Sequence, residues 1–238
     1  MNTSMIDLFA LVLLLLLVVI FPLIGIWDFR RLVRWIQEGR TDARVHTYNW
    51  ILVMEWGVTI GLLAWWFIAG RDIAPLGFIF SAGGWQWLAV GVGLVLSVFM
   101  LFQMSKVIRS HKELKKLREQ MGDLGHLAPQ TPEEDRKFVL VSITAGICEE
   151  MIYRGLLMAV LVPIVGTWPA VALSSVIFGL GHVYQGLVGV GKTALVGLVM
   201  ALLTVFSGSV FTAIILHAVI DMTSGRMMGA ALRDDSQA

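Results

Sequence analysis

Apolar stretches long enough to cross a bilayer recur along this chain, and they constrain its fold more than any other feature. A helix needs about 20 apolar residues to span the hydrocarbon core of a membrane. Of the 238 residues, 57% are hydrophobic and 15% are charged, whereas about 25% of the residues in soluble domains are charged. The sequence therefore predicts an all-α polytopic transmembrane helix bundle of about seven spans. The predicted spans are 5–27, 49–69, 83–104, 138–161, 169–185, 190–206 and 209–225.

Basic residues are concentrated in two predicted loops, and this distribution orients the bundle. Loops 28–48 and 105–137 carry most of the Lys and Arg residues, which the positive-inside rule assigns to the cytoplasm. Seven spans then leave the N-terminus outside and the C-terminus in the cytoplasm. Because most of the positive charge lies in loops and the net charge is only +1, we expect the lipid bilayer as a partner and no nucleic acid. Three regions follow: three N-terminal helices with their basic loop (1–137), a four-helix core with the active site (138–225) and a cytoplasmic tail (226–238).

The basic segment SKVIRSHKELKKLREQMG within loop 105–137 has two interpretations. It is either a solvated continuation of the third span or an amphipathic helix that lies in the membrane interface and is attracted to anionic lipid. The residues that follow it are typical of a loop. Thr131 and Glu134 have the spacing of a capping box, with Pro132 at the first helical position, and predict the start of the next helix.

Ionisable residues inside the later spans indicate where chemistry takes place, since charge at membrane depth is costly and usually faces a polar cavity. Glu150 and Arg154 are four residues apart, so on a helix they share a face and can pair. Glu149 points elsewhere and has no such partner, which makes it the candidate general base. The alternative is that both glutamates only hold helices together. Glu55, in the second predicted span, is a further buried acid whose partner the sequence does not identify.

Two further spans each carry a histidine beside another distinctive residue. Phe178 and His182 lie on one face of the fifth span, and His217 and Asp221 lie one turn apart in the seventh. A single histidine is more often a hydrogen-bonded packing residue than a site residue, but here two spans each supply one. The pair of His217 and Asp221 could ligate a metal, stabilise an oxyanion or simply satisfy itself.

These three motifs together resemble a known family. Glu149-Glu150-x-x-x-Arg154, Phe178-x-x-x-His182 and His217-x-x-x-Asp221, in this order on successive spans, are similar to the motifs of the CAAX-protease and bacteriocin-processing (CPBP, or Abi) family, which is related to the Ras-converting CAAX prenyl endopeptidase. The resemblance covers about residues 138–224. The first three spans match only as generic membrane helices.

The resemblance implies an intramembrane endopeptidase that hydrolyses a peptide bond of a membrane-embedded or prenylated CAAX-like substrate. Glu149 would activate water with the help of His182. His217 and Asp221 would complete the site as oxyanion stabilisers or metal ligands. The residues expected to support the site are Glu150, Arg154 and Phe178.

The cofactor is undetermined by the sequence, and we favour a metal-independent reaction. Glu149, His182, His217 and Asp221 together contain enough ligands for a catalytic zinc site. However, the chain lacks the His-Glu-x-x-His helix motif of common zinc peptidases. General base action by a carboxylate and a histidine can activate water without metal.

Two other functions are compatible with the same motifs. Intramembrane carboxylates and histidines also relay protons in ion-coupled transporters, although the chain shows no paired repeat of interrupted helices. A non-catalytic bacteriocin-immunity or binding protein could use the same scaffold. The resemblance to the protease family implies a membrane peptide or protein as the substrate. The compact chain resembles the bacterial or archaeal members of that family, which implies a location in a prokaryotic plasma membrane.

Overall fold

Eight helices, separated by turns and short 3₁₀ segments, make up most of residues 7–78 and 83–235, the part of the chain that the computed structural model describes. No strand occurs in those two ranges. The all-α fold class predicted from the sequence is therefore confirmed. The helices are α1 (Leu8–Gln37), α2 (Ala43–Ile68), α3 (Gly84–Ile108), α4 (His111–Met121), α5 (132–165), α6 (Thr167–Gly181), α7 (Gly186–Ser207) and α8 (Phe211–Asp235).

Four stretches of the described chain are long and apolar enough to cross a membrane. They are Leu8–Gln37, Ala43–Ile68, Gly84–Ile108 and Val183–Ser207, and the apolar helix α6 is shorter than they are. Seven of the eight helices overlap the seven predicted spans, so the positions of those elements were predicted well. The count of seven membrane crossings stays a prediction. Residues 5 and 6, which begin the first predicted span, and residues 79–82, which belong to the predicted outer loop, lie outside the described residues.

The segment after α3 differs from both interpretations of its sequence. Helix α4 is separate from α3, because Ser110 caps it by accepting a hydrogen bond from the Glu113 N–H at 3.4 Å. Its apolar side chains Leu114 and Met121 are buried against Ala231 near the end of α8. Protein therefore covers the face that a membrane-surface helix would place in lipid. The same packing explains why α8 runs through residues 226–235 of the predicted tail; residues 236–238 lie outside the described chain.

The capping box at the start of α5 is confirmed. The Thr131 hydroxyl accepts from the Glu134 N–H at 3.2 Å, and the Glu134 carboxylate accepts from the Thr131 N–H at 3.2 Å. Pro132 occupies the first turn. These caps satisfy N–H groups that no earlier turn can reach. As a result, α5 begins at Pro132, as the capping box predicts, and extends six residues ahead of the predicted membrane span 138–161.

Glycines allow the helices that carry the site to approach closely. A Cβ on Gly179 of α6 would lie 2.7 Å from the Val190 carbonyl oxygen of α7, and a Cβ on Gly146 of α5 would lie 3.0 Å from Ala218 of α8. Small residues at such crossings are typical of helix packing in membranes. Because α8 packs against both α3 and α5, its histidine and aspartate come to lie beside the two glutamates of α5.

Helix α5 contains seven π-helical residues, Met151–Leu157, directly after Glu150. All but Met151 are buried, including Tyr153 and Arg154. π-Helical turns inside α-helices are rare and occur frequently at functional sites. These wider turns begin directly after Glu149 and Glu150, the two acidic residues of the first sequence motif.

Candidate active site

Four of the residues that the sequence motifs identify come together on three helices. The Glu149 carboxylate of α5 has its Oε2 atom 4.0 Å from His182 Nε2, just after α6, and 3.9 Å from His217 Nε2 on α8. His217 Nε2 is in turn 3.5 Å from Asp221 Oδ2. The Glu149–imidazole distances exceed a direct hydrogen bond and suit one bridging water molecule. The arrangement can therefore hold a water molecule between a carboxylate and two imidazoles.

The hydrogen bond at its other nitrogen determines how His182 faces the site. His182 Nδ1 is 3.0 Å from the Phe178 carbonyl oxygen. A carbonyl only accepts hydrogen bonds, so Nδ1 carries the proton that is donated to it. In the neutral ring, Nε2 is then an acceptor. His182 thus directs a lone pair towards the region in front of Glu149.

His217 is oriented by Glu150, a contact that the sequence analysis did not predict. His217 Nδ1 lies 2.8 Å from Glu150 Oε1, and the histidine is 4% exposed. A carboxylate at Nδ1 favours the tautomer with its proton on that nitrogen. Nε2 therefore faces Glu149 and Asp221, and Asp221 is the more exposed neighbour, with 38% of its side chain accessible. The spacing of residues within one helix cannot predict this contact, because Glu150 and His217 lie on different helices and are 67 residues apart in sequence.

Glu150 also forms the ion pair with Arg154 that their spacing predicts. Arg154 Nη1 donates to Glu150 Oε1 at 3.0 Å, and neither side chain is exposed. Arg154 Nη2 donates to the Gly197 carbonyl oxygen of α7 at 2.7 Å. Burial of either charge alone would be expensive, whereas the paired and hydrogen-bonded charges tolerate it. The pair links α5 to α7 behind the site.

Phe178 is a common neighbour of Arg154 and of the two site histidines. Its ring lies 5.0 Å from the His182 ring and 5.7 Å from the His217 ring, measured between centroids. The Arg154 guanidinium carbon lies 4.4 Å from the same ring centroid, within the range of a cation–π interaction. Phe178 is 2% exposed. It therefore packs against the Arg154 guanidinium and both imidazoles and limits the positions that they can take.

Two cavities reach Glu149. The larger, of about 410 Å³, is lined by Glu149, His182, His217 and Asp221 together with residues of α2, α5, α7 and α8. The narrower, of about 150 Å³, is lined by residues of α1 and α2 in addition to Glu149 and His182. The sequence analysis expected the site in the last four helices, so the contribution of α1 and α2 is a finding of the structure. The residues common to both cavities are Ile51, Glu55, Leu127, Glu149, His182 and Tyr184.

Glu55 is the site residue to which the sequence analysis assigned no role. It lies on α2 and lines both cavities. Its Oε2 atom is shielded from solvent and forms no hydrogen bond within the described residues. The signal in the sequence was an acid within an apolar span, but nothing in the motifs connected that acid to helix α5.

The four candidate metal ligands, Glu149, His182, His217 and Asp221, lie near one another but are not arranged as a metal site. Within residues 7–78 and 83–235, no group of three or more His, Cys, Asp or Glu side chains is arranged to hold a metal ion. The histidine nitrogens instead contact a carbonyl, a carboxylate and the approach to Glu149. Hydrogen bonds orient the two imidazoles, that of His182 to a backbone carbonyl oxygen and that of His217 to the Glu150 carboxylate.

The comparison with protein families agrees with the motifs. Residues 136–223 match the family model described as type II CAAX prenyl endopeptidase Rce1-like. The match supports the CAAX-protease and bacteriocin-processing family that the motifs of this segment predict. The matched range is nearly the range 138–224 expected from the motifs, and it covers less than half of the chain. The comparisons with curated proteins and with solved structures give no significant match.

The match to this family model has two consequences at a coarse level. The family is one of CAAX-type intramembrane proteases, so the matched segment implies a protease. Together with the four helices that are long and apolar enough to cross a bilayer, it also indicates an integral membrane protein. All seven motif residues, from Glu149 to Asp221, lie within the matched segment.

Proposed function

We propose that this chain is an intramembrane endopeptidase in which Glu149 activates water with the help of His182. The observation that carries the proposal is the approach of Glu149 Oε2 to His182 Nε2 and His217 Nε2, at 4.0 and 3.9 Å, at the wall of a cavity. A carboxylate positioned one water molecule away from a reacting centre can act as a general base. The substrate is a membrane-embedded peptide or a prenylated CAAX-like tail.

The proposed reaction transfers one proton from water and returns it to the leaving group. Glu149 takes a proton from a water molecule that also donates a hydrogen bond to His182 Nε2, and the hydroxide attacks the carbonyl carbon of the scissile peptide bond. Collapse of the tetrahedral intermediate breaks the C–N bond, and the protonated Glu149 gives its proton to the departing amine. This use of one group first as base and then as acid needs no other proton carrier.

His217 has the position of the group that stabilises the oxyanion. An ionised carboxylate such as Asp221 only accepts hydrogen bonds and cannot itself stabilise negative charge. In its doubly protonated form, His217 donates from Nδ1 to Glu150 and from Nε2 towards Asp221 or the oxyanion. Asp221, 3.5 Å away, would hold that Nε2–H in position until the intermediate forms.

Cleavage by purified protein tests the proposal. The protein is reconstituted in vesicles with a panel of membrane-inserted and prenylated tail peptides, and new peptide ends are identified by mass spectrometry. We expect Glu149→Gln to reduce cleavage at least about a hundredfold, because general base catalysis contributes roughly 10²–10⁴-fold. Glu133→Gln, which removes an exposed carboxylate from the same helix, is the matched control and should cleave normally.

A chelator arm decides whether a metal contributes. We expect cleavage to persist in strong chelator, with metal content measured on the same sample. Loss of cleavage on chelation and its recovery with zinc alone would assign Glu149 and the histidines to a metal site instead. If no peptide is cleaved but the vesicles show proton or ion flux that depends on Glu149, the chain is a transporter.

A further inference from the structure

The narrower cavity contains more carboxylates than the proposed hydrolysis requires. Three carboxylates line it, those of Asp28, Glu55 and Glu149. Of its lining residues in the described chain, none is Lys or Arg. Most of the others are apolar. A cavity of this kind complements a ligand that combines an apolar body with a positive charge.

The three carboxylates differ in what already satisfies them. Asp28 accepts a hydrogen bond from the Trp50 indole N–H at 2.7 Å and pairs with Arg31 at 2.7 Å. Glu149 faces the two histidines of the site. Glu149 Oε2 and Glu55 Oε2 are both buried without a hydrogen-bond partner among the described residues. Glu149 Oε2 nevertheless lies 4.0 and 3.9 Å from the two imidazoles, whereas Glu55 has no ion pair with a described residue. The residue as a whole is only partly buried, and it lines the cavity.

A carboxylate oxygen that is buried in apolar surroundings without a partner is costly until a proton or a cation joins it. The neighbouring charged groups that face this region are Glu149 and Asp221, both acidic, and the histidines His182 and His217. Lys192 also lines the larger cavity, but it is exposed. A cation that pairs with Glu55 would therefore have to come from a ligand that enters the cavity.

The location of Glu55 indicates which part of a substrate would supply that cation. Glu55 and Glu149 both belong to the small set of residues shared by the two cavities. A peptide that extends through both cavities with its scissile bond at Glu149 must pass Glu55. A side chain next to the scissile bond is therefore the group within reach.

We propose that Glu55 is a specificity residue that binds a basic side chain of the substrate, an ammonium or a guanidinium, next to the scissile bond. This inference rests on the proposed function, because only a peptidase reaction gives the substrate a scissile bond. The preferred substrate is an apolar peptide with one Lys or Arg close to the cleavage point. Helix α2, which lies outside the family segment 136–223, thereby contributes selectivity to a site whose other motif residues come from α5, α8 and the end of α6.

Binding of two matched peptides tests the proposal. The probes are acetylated, fluorophore-labelled decapeptides of alternating Leu and Ala that carry either one central lysine or norleucine. Their dissociation constants are measured by anisotropy on the full-length protein in nanodiscs, before cleavage products accumulate. Empty nanodiscs correct for partition into lipid. The variants are Glu55→Gln, Glu55→Asp and, as a control, Glu133→Gln.

We expect Glu55→Gln to weaken binding of the lysine peptide about tenfold or more, because it removes one member of a desolvated charge pair. The norleucine peptide should bind wild type and Glu55→Gln within about twofold of each other, which also shows that the variant is folded, and Glu55→Asp should retain most of the lysine preference. Equal weakening of both peptides, or no weakening of either, would overturn the proposal. If the preference for the lysine peptide depends on Glu55 but neither peptide is cleaved, the protease proposal fails and the binding proposal stands. If the peptides are cleaved but Glu55 confers no preference for lysine, the protease proposal stands and the binding proposal fails.

Discussion

At the scale of single residues, two adjacent glutamates have different surroundings. Glu150 is fully enclosed and forms both an ion pair with Arg154 and a hydrogen bond with His217. Glu149 keeps 20% of its side chain accessible and faces a cavity. Because consecutive residues point in different directions on a helix, one carboxylate can hold the site together while its neighbour is free to react.

Glu150→Gln should therefore affect stability and activity together. The substitution preserves shape but leaves the Arg154 charge without its counter-ion, and breaking a buried pair costs roughly 3–5 kcal/mol. We expect a clearly lower unfolding temperature and also lower kcat, since His217 loses the carboxylate that orients it. Thermal unfolding in detergent and cleavage assays measure the two effects.

The comparison with Glu149→Gln separates the two glutamates. That variant should lose cleavage while its unfolding temperature stays close to that of wild type. A Glu150→Gln protein with normal thermal stability and no activity would mean that Glu150 acts directly in the reaction.

Phe178→Leu tests the ring that touches Arg154 and both histidines. Replacement of a buried aromatic ring by a smaller side chain leaves a cavity, and we expect a loss of about 1–3 kcal/mol in unfolding free energy. The histidines should also become less restrained, with a fall in kcat. Phe102→Leu on α3, whose side chain is 54% exposed, is the matched control and should change neither quantity.

At the scale of whole elements, the site depends on how closely helices approach. The side of α6 that carries Gly179 lies against α7, where an added Cβ would meet the Val190 carbonyl oxygen at 2.7 Å and Ala194 at 2.8 Å. Backbone cannot yield to such contacts as a flexible side chain can. The separation of α6 and α7 is therefore coupled to the position of His182 at the end of α6.

Gly179→Ala should force these two helices apart. We expect a destabilisation of about 1–3 kcal/mol, typical of overpacking, and reduced activity through displacement of His182. Gly61→Ala on α2 is the control, because nothing lies within 4 Å of its added Cβ and Ala is the better helix former by roughly 0.5–1 kcal/mol. Equal unfolding temperatures for the two variants would contradict this prediction, because they would show that an added methyl group fits between α6 and α7.

At the scale of the whole molecule, the charge distribution predicts the orientation in the membrane. Loops 28–48 and 105–137 should face the cytoplasm because they hold most of the Lys and Arg residues. The structure adds a connection between the two loops. Arg44 donates to the His126 carbonyl oxygen at 2.9 Å, and Tyr48 donates to that of Leu127 at 2.7 Å. The two loops therefore lie on the same side of the bundle.

Cysteine labelling in intact cells tests this orientation. The sole cysteine, Cys148, is first replaced by alanine, and single cysteines are then introduced as Glu113→Cys on α4 and Asp72→Cys between α2 and α3. An impermeant maleimide added outside should label position 72 and leave position 113 unlabelled until the membrane is permeabilised. The reverse pattern would invert the bundle and place the basic loops outside.

The sequence by itself determined the helical class, the approximate positions of seven helices, the start of α5 and the family of the segment 136–223. These features depend on hydropathy, on short-range capping and on motif spacing, all of which operate within one helix or its ends. The Glu150–Arg154 pair belongs with them, because its members are four residues apart.

Only the tertiary structure decided which groups meet across helices. The bond between Glu150 and His217, the packing of α4 against α8 and the position of Glu55 at the junction of two cavities all join residues distant in sequence. The π-helical turns after Glu150 were equally inaccessible, since their residues have no distinctive pattern. Hydropathy tells which residues avoid water, but the rotation of each helix about its axis is set by close packing, and that rotation selects the carboxylates and imidazoles that share a cavity.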